Sequence, residues 1–209
     1  MTINIMNELI PLRRYVNPDN SCLFSSIGYL MECNNFNEMT GYKYRMMIAE
    51  YLLNTKLDDT ILDRPQSEYL ELIQDITKWG GAPELRIFSD MFKVKIGSFD
   101  ILSDRVDIFG ETKDYNKIIY VMYTGSHYDP LVMNFSNNGL SDTDITKFDY
   151  EDFNILLSFR EYVKKFKDEC DDLSSLKNFK CEICSEEFEN QEYLLVHAQN
   201  KGHWKFKQI

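Results

Sequence analysis

Two cysteines and two histidines near the C-terminus constrain the fold of this chain more than any other feature. Gaps of two, twelve and five residues separate Cys181, Cys184, His197 and His203. This spacing fits a tetrahedral zinc site on a ββα unit, with Phe188 and Leu194 as its small apolar core. Because so small a unit has too little core to fold alone, the pattern predicts a zinc finger held by structural Zn²⁺.

The charge of this predicted finger disfavours nucleic acid as its partner. Between Cys184 and His197 the chain has four glutamates and no lysine or arginine. Finger residues in that stretch contact bases and phosphates, chiefly through basic and amide groups. The whole chain carries a net charge of −11. We therefore expect a protein-contact module, and a nucleic-acid adaptor is the disfavoured alternative, which would require binding with a steep salt dependence.

With two of the three histidines assigned to the finger, one imidazole is left to act as a base. It is His127, and the best candidate nucleophile for it is Cys22. Residues 20 and 21 are Asn and Ser, good N-cap types, so we expect the thiol at the start of a helix. A helix N-terminus and a neighbouring imidazolium both favour a thiolate. The alternative is a buried core cysteine and a structural histidine.

Two aspartates are candidates for the acid that orients His127. Asp129 lies two residues away, on the same face of an extended segment, and can fix the tautomer of the imidazole. Asp19 begins the loop before Cys22, and backbone N–H groups of residues 19–21 can stabilise an oxyanion. We favour Asp129 as the orienting acid and Asp19 as part of the oxyanion loop, but the sequence leaves this choice open.

The order of the predicted elements favours an α+β layer over an alternating parallel sheet. The predicted helices begin near residues 22, 42, 65 and 83, and a last one covers 151–168. The predicted strands are 9–16, 94–101, 106–109, 118–123 and 131–135. The third helix is expected to place Tyr69, Leu72, Ile73 and Ile76 on one face. We predict a catalytic domain over residues 1–169, a polar linker over 170–177 and the finger over 178–209.

Three short blocks of sequence resemble the OTU (ovarian tumour) family of cysteine-protease deubiquitinases. They are DNSCLF at 19–24 followed by Ser26, WGG at 79–81 with Glu84, and GSHYD at 125–129. The resemblance spans roughly residues 9–135 and is similar to the subtype with a C-terminal two-Cys/two-His finger. That subtype commonly has an N-terminal ubiquitin-like domain that docks on a Cdc48-type segregase. Only 18 residues precede Asp19, so the segregase stays an open partner.

The resemblance implies a papain-like α/β fold, with a small sheet between helices, that cleaves isopeptide bonds after the C-terminal glycine of ubiquitin. It implies Cys22 as the nucleophile, His127 as the base, Asp19 or Asp129 as the acid, and no cofactor for catalysis. The expected substrate-binding residues are Asn20, Ser21, Trp79, Gly80, Gly81, Glu84, Ser126 and Tyr128. Trp79 either borders a narrow slot for the substrate or is a core aromatic at a helix end. Glu84 is alternatively a first-turn carboxylate that favours the helix dipole.

The expected partners are ubiquitin and polyubiquitin chains, which the finger would also contact, with neither nucleic acid nor membrane. The N-terminus lacks a secretion signal, no apolar run is long enough to span a membrane, and five cysteines do not form a disulfide framework. A reducing compartment is expected: the cytoplasm, with the nucleus as the alternative. Two other functions stay open, a catalytically weak ubiquitin-binding module and a protease for another ubiquitin-like modifier.

Overall fold

The structure is a computed structural model that describes residues 9–32, 39–57, 59–135, 141–174, 179–188, 197–198, 201, 203 and 205–208. The chain divides into two compact units, Met1–Tyr162 and Val163–Ile209. Leu194, expected in the finger core, lies outside the described residues. In the described part of the chain, no helix has both the length and the apolar character that a membrane crossing requires.

A mixed sheet forms the centre of the first unit. Its strands are β1 (Ile10–Arg13), β2 (Lys95–Asp100), β3 (Arg105–Phe109), β4 (Lys117–Tyr123), β5 (Tyr128–Asn134) and β6 (Phe148–Asp149). Their order is β1-β5-β4-β2-β3, with β6 also beside β4. Only β2 and β4 run parallel among these pairs, and the others are antiparallel. Most helices precede the sheet in the chain, which confirms the predicted α+β order.

Six α-helices are described. They are α1 (Cys22–Glu32), α2 (Thr40–Asn54), α3 (Asp59–Leu62), α4 (Gln66–Gln74), α5 (Ala82–Phe92) and α6 (Phe153–Ser174). Pro83 lies in the first turn of α5, where the N–H that proline lacks would have no helical partner. The short α3 was not predicted, since four residues are too few to show a helical period.

Helices cover both faces of the sheet, as the papain-like prediction requires. On one face, Ile119 and Val121 of β4 join a core cluster with the apolar sides of α1, α2 and α5. Tyr120 points to the other face because side chains alternate along a strand. There its ring lies 5.1 Å from that of Phe159 on α6 and 5.6 Å from that of Phe99.

The helix α4 is shorter than predicted. It ends at Gln74 because Asp75 leaves the helical conformation and its carboxylate accepts hydrogen bonds from the backbone N–H and hydroxyl of Thr77. Ile76 and Trp79 therefore lie beyond the helix, 59% and 63% exposed. The prediction that Ile76 shares a helix face with Tyr69, Leu72 and Ile73 was wrong, and so was the alternative of Trp79 as a core aromatic.

Other boundaries also differ from the prediction, and strand β1 ends at Arg13 instead of residue 16. Strand β5 begins at Tyr128, three residues earlier than predicted. It includes Pro130, and a proline is unusual inside a strand because it has no N–H to donate to the neighbouring strand. Helix α6 continues to Ser174, so residues 170–174 are helical and not the polar linker predicted there. No glycine or proline interrupts that stretch. Residues 175–177 of the predicted linker lie outside the described residues, and the domain boundaries stay predictions.

The second unit contains a three-stranded sheet. Its strands are β7 (Phe179–Cys181), β8 (Glu187–Phe188) and β9 (Phe206–Gln208), in the order β8-β7-β9. The antiparallel pair β7–β8 is the predicted hairpin, and His197, Ala198 and Lys201 are helical, as a ββα finger requires. Strand β9 was not predicted. It follows His203 and pairs with β7 on the side opposite β8.

Candidate active site

The candidate nucleophile is at the start of a buried helix. Cys22 is the first residue of α1, and the carbonyl of Ser21 accepts the hydrogen bond from Ser25 N–H that closes the first turn. The thiol is buried rather than free in solvent. The positive end of the α1 dipole therefore lies at Cys22.

The candidate base is the buried His127, in the loop that joins β4 to β5. This loop turns through Gly125, whose φ of 96° lies in the left-handed region that favours glycine. The imidazole hydrogen-bonds to the side chains of both Cys22 and Asp129. Burial by itself would lower the pKa of His127, but these two bonds and the neighbouring negative charges raise it to about 9. At neutral pH the site therefore holds an imidazolium beside the sulfur of Cys22.

Asp129 holds the imidazole of His127 through its Nε2 atom. His127 Nε2 donates to Asp129 Oδ1 over 3.0 Å, and the backbone N–H of Val16 donates to the same oxygen over 3.1 Å. Arg13 Nη1 donates to Oδ2, also over 3.1 Å. The carboxylate is completely buried. Asp129 thus has a fixed orientation and can in turn fix the orientation of the histidine ring.

Asp19 shapes the loop before the nucleophile. Its Oδ1 accepts a hydrogen bond of 2.8 Å from Ser21 N–H, and its carbonyl accepts one of 3.2 Å from Cys22 N–H. Among the described residues, Asp129 and not Asp19 supplies the carboxylate within hydrogen-bonding distance of His127. The N–H groups of Ser21 and Cys22 are directed at Asp19, whereas the sequence predicted that loop N–H groups would point at the reacting carbonyl.

Three of the predicted substrate-binding residues lie in the segment that faces this loop. Trp79 is exposed, and its indole N–H donates to Asn20 Oδ1. Gly80 packs so closely on α1 that an added Cβ would lie 2.8 Å from the ring of Phe24. At Gly81 nothing lies within 4 Å of such a Cβ. The backbone therefore leaves open space at Gly81 and none at Gly80.

The remaining predicted substrate-binding residues differ in exposure. Glu84 is 3% exposed and accepts hydrogen bonds from Tyr69 Oη–H and, over 2.6 Å, from Gly81 N–H. Burial raises the pKa of the Glu84 carboxyl. Tyr128 is also buried and stacks on Tyr123 with 4.5 Å between ring centroids. Direct substrate contact by Glu84 and Tyr128 disagrees with this burial, whereas Ser126 is exposed in the histidine loop.

Two arginines at the site are missing from the sequence-based prediction. Arg13, at the end of β1, binds Asp129 across 116 residues of sequence, and no local pattern indicates that pairing. Arg45 lies beside the buried Tyr44, Ile48 and Ala49 on α2 and is itself completely buried. A single arginine on the apolar face of a helix could have indicated this role from the sequence, because a buried charge needs partners.

The four predicted metal ligands come together in the second unit. One ligand atom from each of Cys181, Cys184, His197 and His203 lies within 4.8 Å of all the others. Cys184 Sγ is 3.4 Å from His197 Nε2, Cys181 Sγ is 3.6 Å from His203 Nδ1, and the two histidine nitrogens are 3.3 Å apart. This group can hold a metal ion.

A thiol at a helix N-terminus, an imidazole beside it and a buried carboxylate behind the imidazole define a site of the cysteine-protease class. The helices on both faces of a mixed sheet are compatible with that class. The chain belongs to the OTU-like cysteine protease family, whose pattern it matches over residues 17–138. This confirms the resemblance found in the sequence.

Individual relatives agree with the family assignment. The chain is 32% identical to Ubiquitin thioesterase OTU1 of Dictyostelium discoideum over 93% of its own length and 60% of that relative. It is 29% identical to ovarian tumor domain-containing deubiquitinating enzyme 2 of Arabidopsis thaliana, over 96% of this chain and 99% of that one. A solved OTU domain in complex with ubiquitin superposes with a TM-score of 0.63 at 30% identity, covering 81% of this chain and 94% of that chain. The chain thus spans about 60% of the Dictyostelium relative.

Proposed function

We propose that this chain is a deubiquitinase, a thiol hydrolase that cleaves isopeptide bonds after the C-terminal glycine of ubiquitin. The observation that carries the proposal is the contact of one buried imidazole, His127, with both Cys22 and Asp129. The names of the two relatives and the ubiquitin bound to the similar OTU domain support ubiquitin as the modifier.

The geometry suits a two-step acyl transfer. The Cys22 thiolate attacks the carbonyl carbon of the terminal glycine, and the proton of His127 passes to the leaving lysine amine as the C–N bond breaks. The ubiquitin tail is then a thioester on Cys22. Neutral His127 next takes a proton from water, which attacks the thioester, and the released thiolate regains its imidazolium partner. Asp129 holds the imidazole in the orientation that both steps need.

The segment 79–81 fits a binding site for the two glycines at the end of ubiquitin. Trp79 is exposed, and its indole is hydrogen-bonded to Asn20, two residues before the nucleophile. Its ring can form one side of a narrow slot. The open space at Gly81 leaves room for a chain without side chains. A slot narrow enough to fit only glycines would select against any tail with bulkier residues at the scissile bond.

The decisive experiment is labelling with ubiquitin that carries a C-terminal propargyl warhead, followed by intact mass. We expect one ubiquitin adduct on the wild-type chain and none on the matched Cys22→Ser variant. The same warhead on other ubiquitin-like modifiers tests the alternative substrate, and reaction with one of those alone would replace ubiquitin in the proposal. A folded chain that binds ubiquitin but forms no adduct would be a binding module.

For the second unit we propose a structural Zn²⁺ on Cys181, Cys184, His197 and His203. With Zn–S bonds of about 2.3 Å and Zn–N bonds of about 2.05 Å, tetrahedral geometry places nitrogen–nitrogen and nitrogen–sulfur pairs about 3.3–3.6 Å apart. The nitrogen–nitrogen and nitrogen–sulfur separations given above agree with this range. Glu186 Oε2 lies 3.0 Å from His197 Nδ1, the nitrogen on the far side of the ring, as is common behind zinc-bound histidines. Elemental analysis should find one zinc per wild-type chain and a large loss in Cys184→Ser.

The partners that we propose are ubiquitin and polyubiquitin chains, with the finger as an additional protein contact and no role in nucleic-acid binding. The acidic net charge of −11 supports this choice. A Cdc48-type segregase is a further candidate, testable by pull-down with the whole chain. We propose the cytoplasm as the location, since Cys22 must stay a reduced thiol. Imaging of the tagged chain tests this against the nucleus.

A further inference from the structure

Arg45 is an arginine with no exposed surface, directly below the nucleophile loop. It is the largest fully buried side chain described. Its guanidinium carbon lies 4.0 Å from the centroid of the Phe24 ring, so one face of the group is stacked on an aromatic of α1. A buried cation is costly unless its hydrogen-bond donors are used, and here every guanidinium nitrogen donates.

Two of those hydrogen bonds go to the residues just before Cys22. Nη2 donates to the carbonyl of Asn20 over 2.6 Å, and Nε donates to Ser21 Oγ over 3.0 Å. The loop is therefore held through its backbone at one residue and its side chain at the next. Because Cys22 follows directly, this contact fixes where the helix α1 begins and where the thiol is placed.

The other two hydrogen bonds reach the far side of the site. Nη2 also donates to the carbonyl of Lys78, and Nη1 donates to the carbonyl of Ile73 over 3.4 Å. One guanidinium thus joins the nucleophile loop to the segment that leads into Trp79. Asn20 is bound from both directions, through its carbonyl by Arg45 and through its side-chain oxygen by the indole N–H of Trp79.

The charge of Arg45 also faces the site. Burial lowers the pKa of its guanidinium, while Glu84, Asp19, Asp75 and the Cys22 sulfur counteract this electrostatically. Three of these four groups are carboxylates. A guanidinium keeps its proton in such surroundings, so Arg45 brings a fixed positive charge to Asn20 and Ser21, directly before Cys22.

We propose that Arg45 is a positioning residue for catalysis: by holding Asn20 and Ser21 it sets the placement of the Cys22 sulfur and of the loop N–H groups around it. The proposal rests on the proposed function of the same site. Arg45 acts through the loop and touches no substrate. Its planar fork is essential, because a lysine keeps the charge but cannot reach acceptors on both sides at once.

The first test compares Arg45→Lys with the wild type and with Arg160→Lys, a matched change at an exposed arginine of α6. Turnover of a fluorogenic ubiquitin substrate separates kcat from KM. We expect Arg45→Lys to lower kcat roughly 10- to 100-fold with KM nearly unchanged, because about 1 Å of misplacement is enough for such a loss. Arg160→Lys should match the wild type. An Arg45→Lys variant that melts earlier but keeps its kcat would overturn the proposal.

The second test needs no ubiquitin. Alkylation of Cys22 by iodoacetamide, followed by peptide mass, reports the reactivity of the thiolate itself. We expect slower alkylation in Arg45→Lys than in the wild type. This readout also separates two failures. A wild-type chain that does not react with the ubiquitin warhead would contradict the proposed function. Alkylation of Arg45→Lys at the wild-type rate would contradict the positioning role of Arg45.

Ser21→Ala keeps the test decisive even if the Arg45 variants do not fold. It deletes the acceptor of Arg45 Nε and leaves the arginine in place. We expect alkylation and kcat to fall severalfold, with a smaller further loss when Ser21→Ala is added to Arg45→Lys, since both changes break one contact. Wild-type reactivity in Ser21→Ala, or fully additive losses in the double variant, would contradict the proposal.

Discussion

The carboxylate of Asp129 lies 3.0 Å from Nε2 of His127 and is completely buried. The two residues flank the start of β5 and are two positions apart, so the pleat of the strand brings them to the same face. The same carboxylate accepts from Val16 N–H and from Arg13, which anchor it to the segment around β1. His127 is therefore held through tertiary contacts as well as by the strand that follows it.

Replacing the two candidate acids should have unequal effects. We expect Asp129→Asn to lower kcat roughly a hundredfold or more, because an amide can stabilise the wrong imidazole tautomer. Asp19→Asn should have a much smaller effect, since an Asn side-chain oxygen can still accept from Ser21 N–H. The measurement is turnover of the ubiquitin substrate by variants with matched circular dichroism. Equal or reversed losses would reassign the orienting acid to Asp19.

The rate should decline at alkaline pH through loss of the His127 proton. The pKa of this group is raised from an ordinary 6.5 to about 9, so the imidazolium is present at neutral pH and disappears as the pH rises through about 9. We expect kcat/KM for ubiquitin hydrolysis to fall in that range. In Asp129→Asn the fall should begin at lower pH, because the hydrogen bond and charge that raise the pKa are gone. A wild-type midpoint near pH 7 would contradict the contacts described.

Neighbouring arginines at the end of β1 provide a matched pair. Arg13 binds Asp129, whereas Arg14 binds Asp144 through Nε and Nη2. We expect Arg13→Gln and Arg14→Gln each to lower the free energy of unfolding by about 1–3 kcal/mol. Only Arg13→Gln should also lower kcat, by about tenfold, since it loosens the acid behind His127. Urea unfolding and turnover of both variants check this, and a similar loss of kcat in Arg14→Gln would show that general destabilisation is the cause.

The adjacent glycines of the segment 79–81 should respond differently to alanine. Gly80→Ala places a methyl group 2.8 Å from the ring of the buried Phe24, and we expect a loss of about 1–3 kcal/mol in the free energy of unfolding. Gly81→Ala meets no atom within 4 Å, so its loss should stay below about 1 kcal/mol. Thermal and urea unfolding distinguish the two. Equal losses would mean that Gly80 is not packed on Phe24 as described.

Much of the fold and the site was predictable because its signals are local. The N-cap types before Cys22 placed the nucleophile at a helix start, and the structure begins α1 there. The two-residue spacing of His127 and Asp129 placed both on one face, and the structure joins them by a hydrogen bond. The spacing of the finger residues brought four ligands together. Each of these depends on a short repeat or a short gap, which a sequence displays directly.

Other features were not predictable because their partners are distant in sequence. The sequence allowed Trp79 to be a core residue at a helix end. In the structure α4 ends before Asp75, and the indole is exposed and hydrogen-bonded to Asn20. Glu84 was expected to bind substrate or to favour the helix dipole, but the fold buries it against Tyr69. The sequence therefore assigned substrate contact to Glu84, whereas in the tertiary structure its carboxylate accepts a hydrogen bond from Gly81 N–H.

By itself the sequence determined the chemistry of this protein: a thiol at a helix start, one spare imidazole, an acid two residues from it, and a ligand set with metal spacing. Only the tertiary structure decided what holds that chemistry in place. Arg13 and Arg45 contact the site across gaps of 116 and 24–25 residues, and such contacts follow from packing, not from periodicity. The physical reason is burial, since a charge removed from water must find its partners wherever the fold brings them.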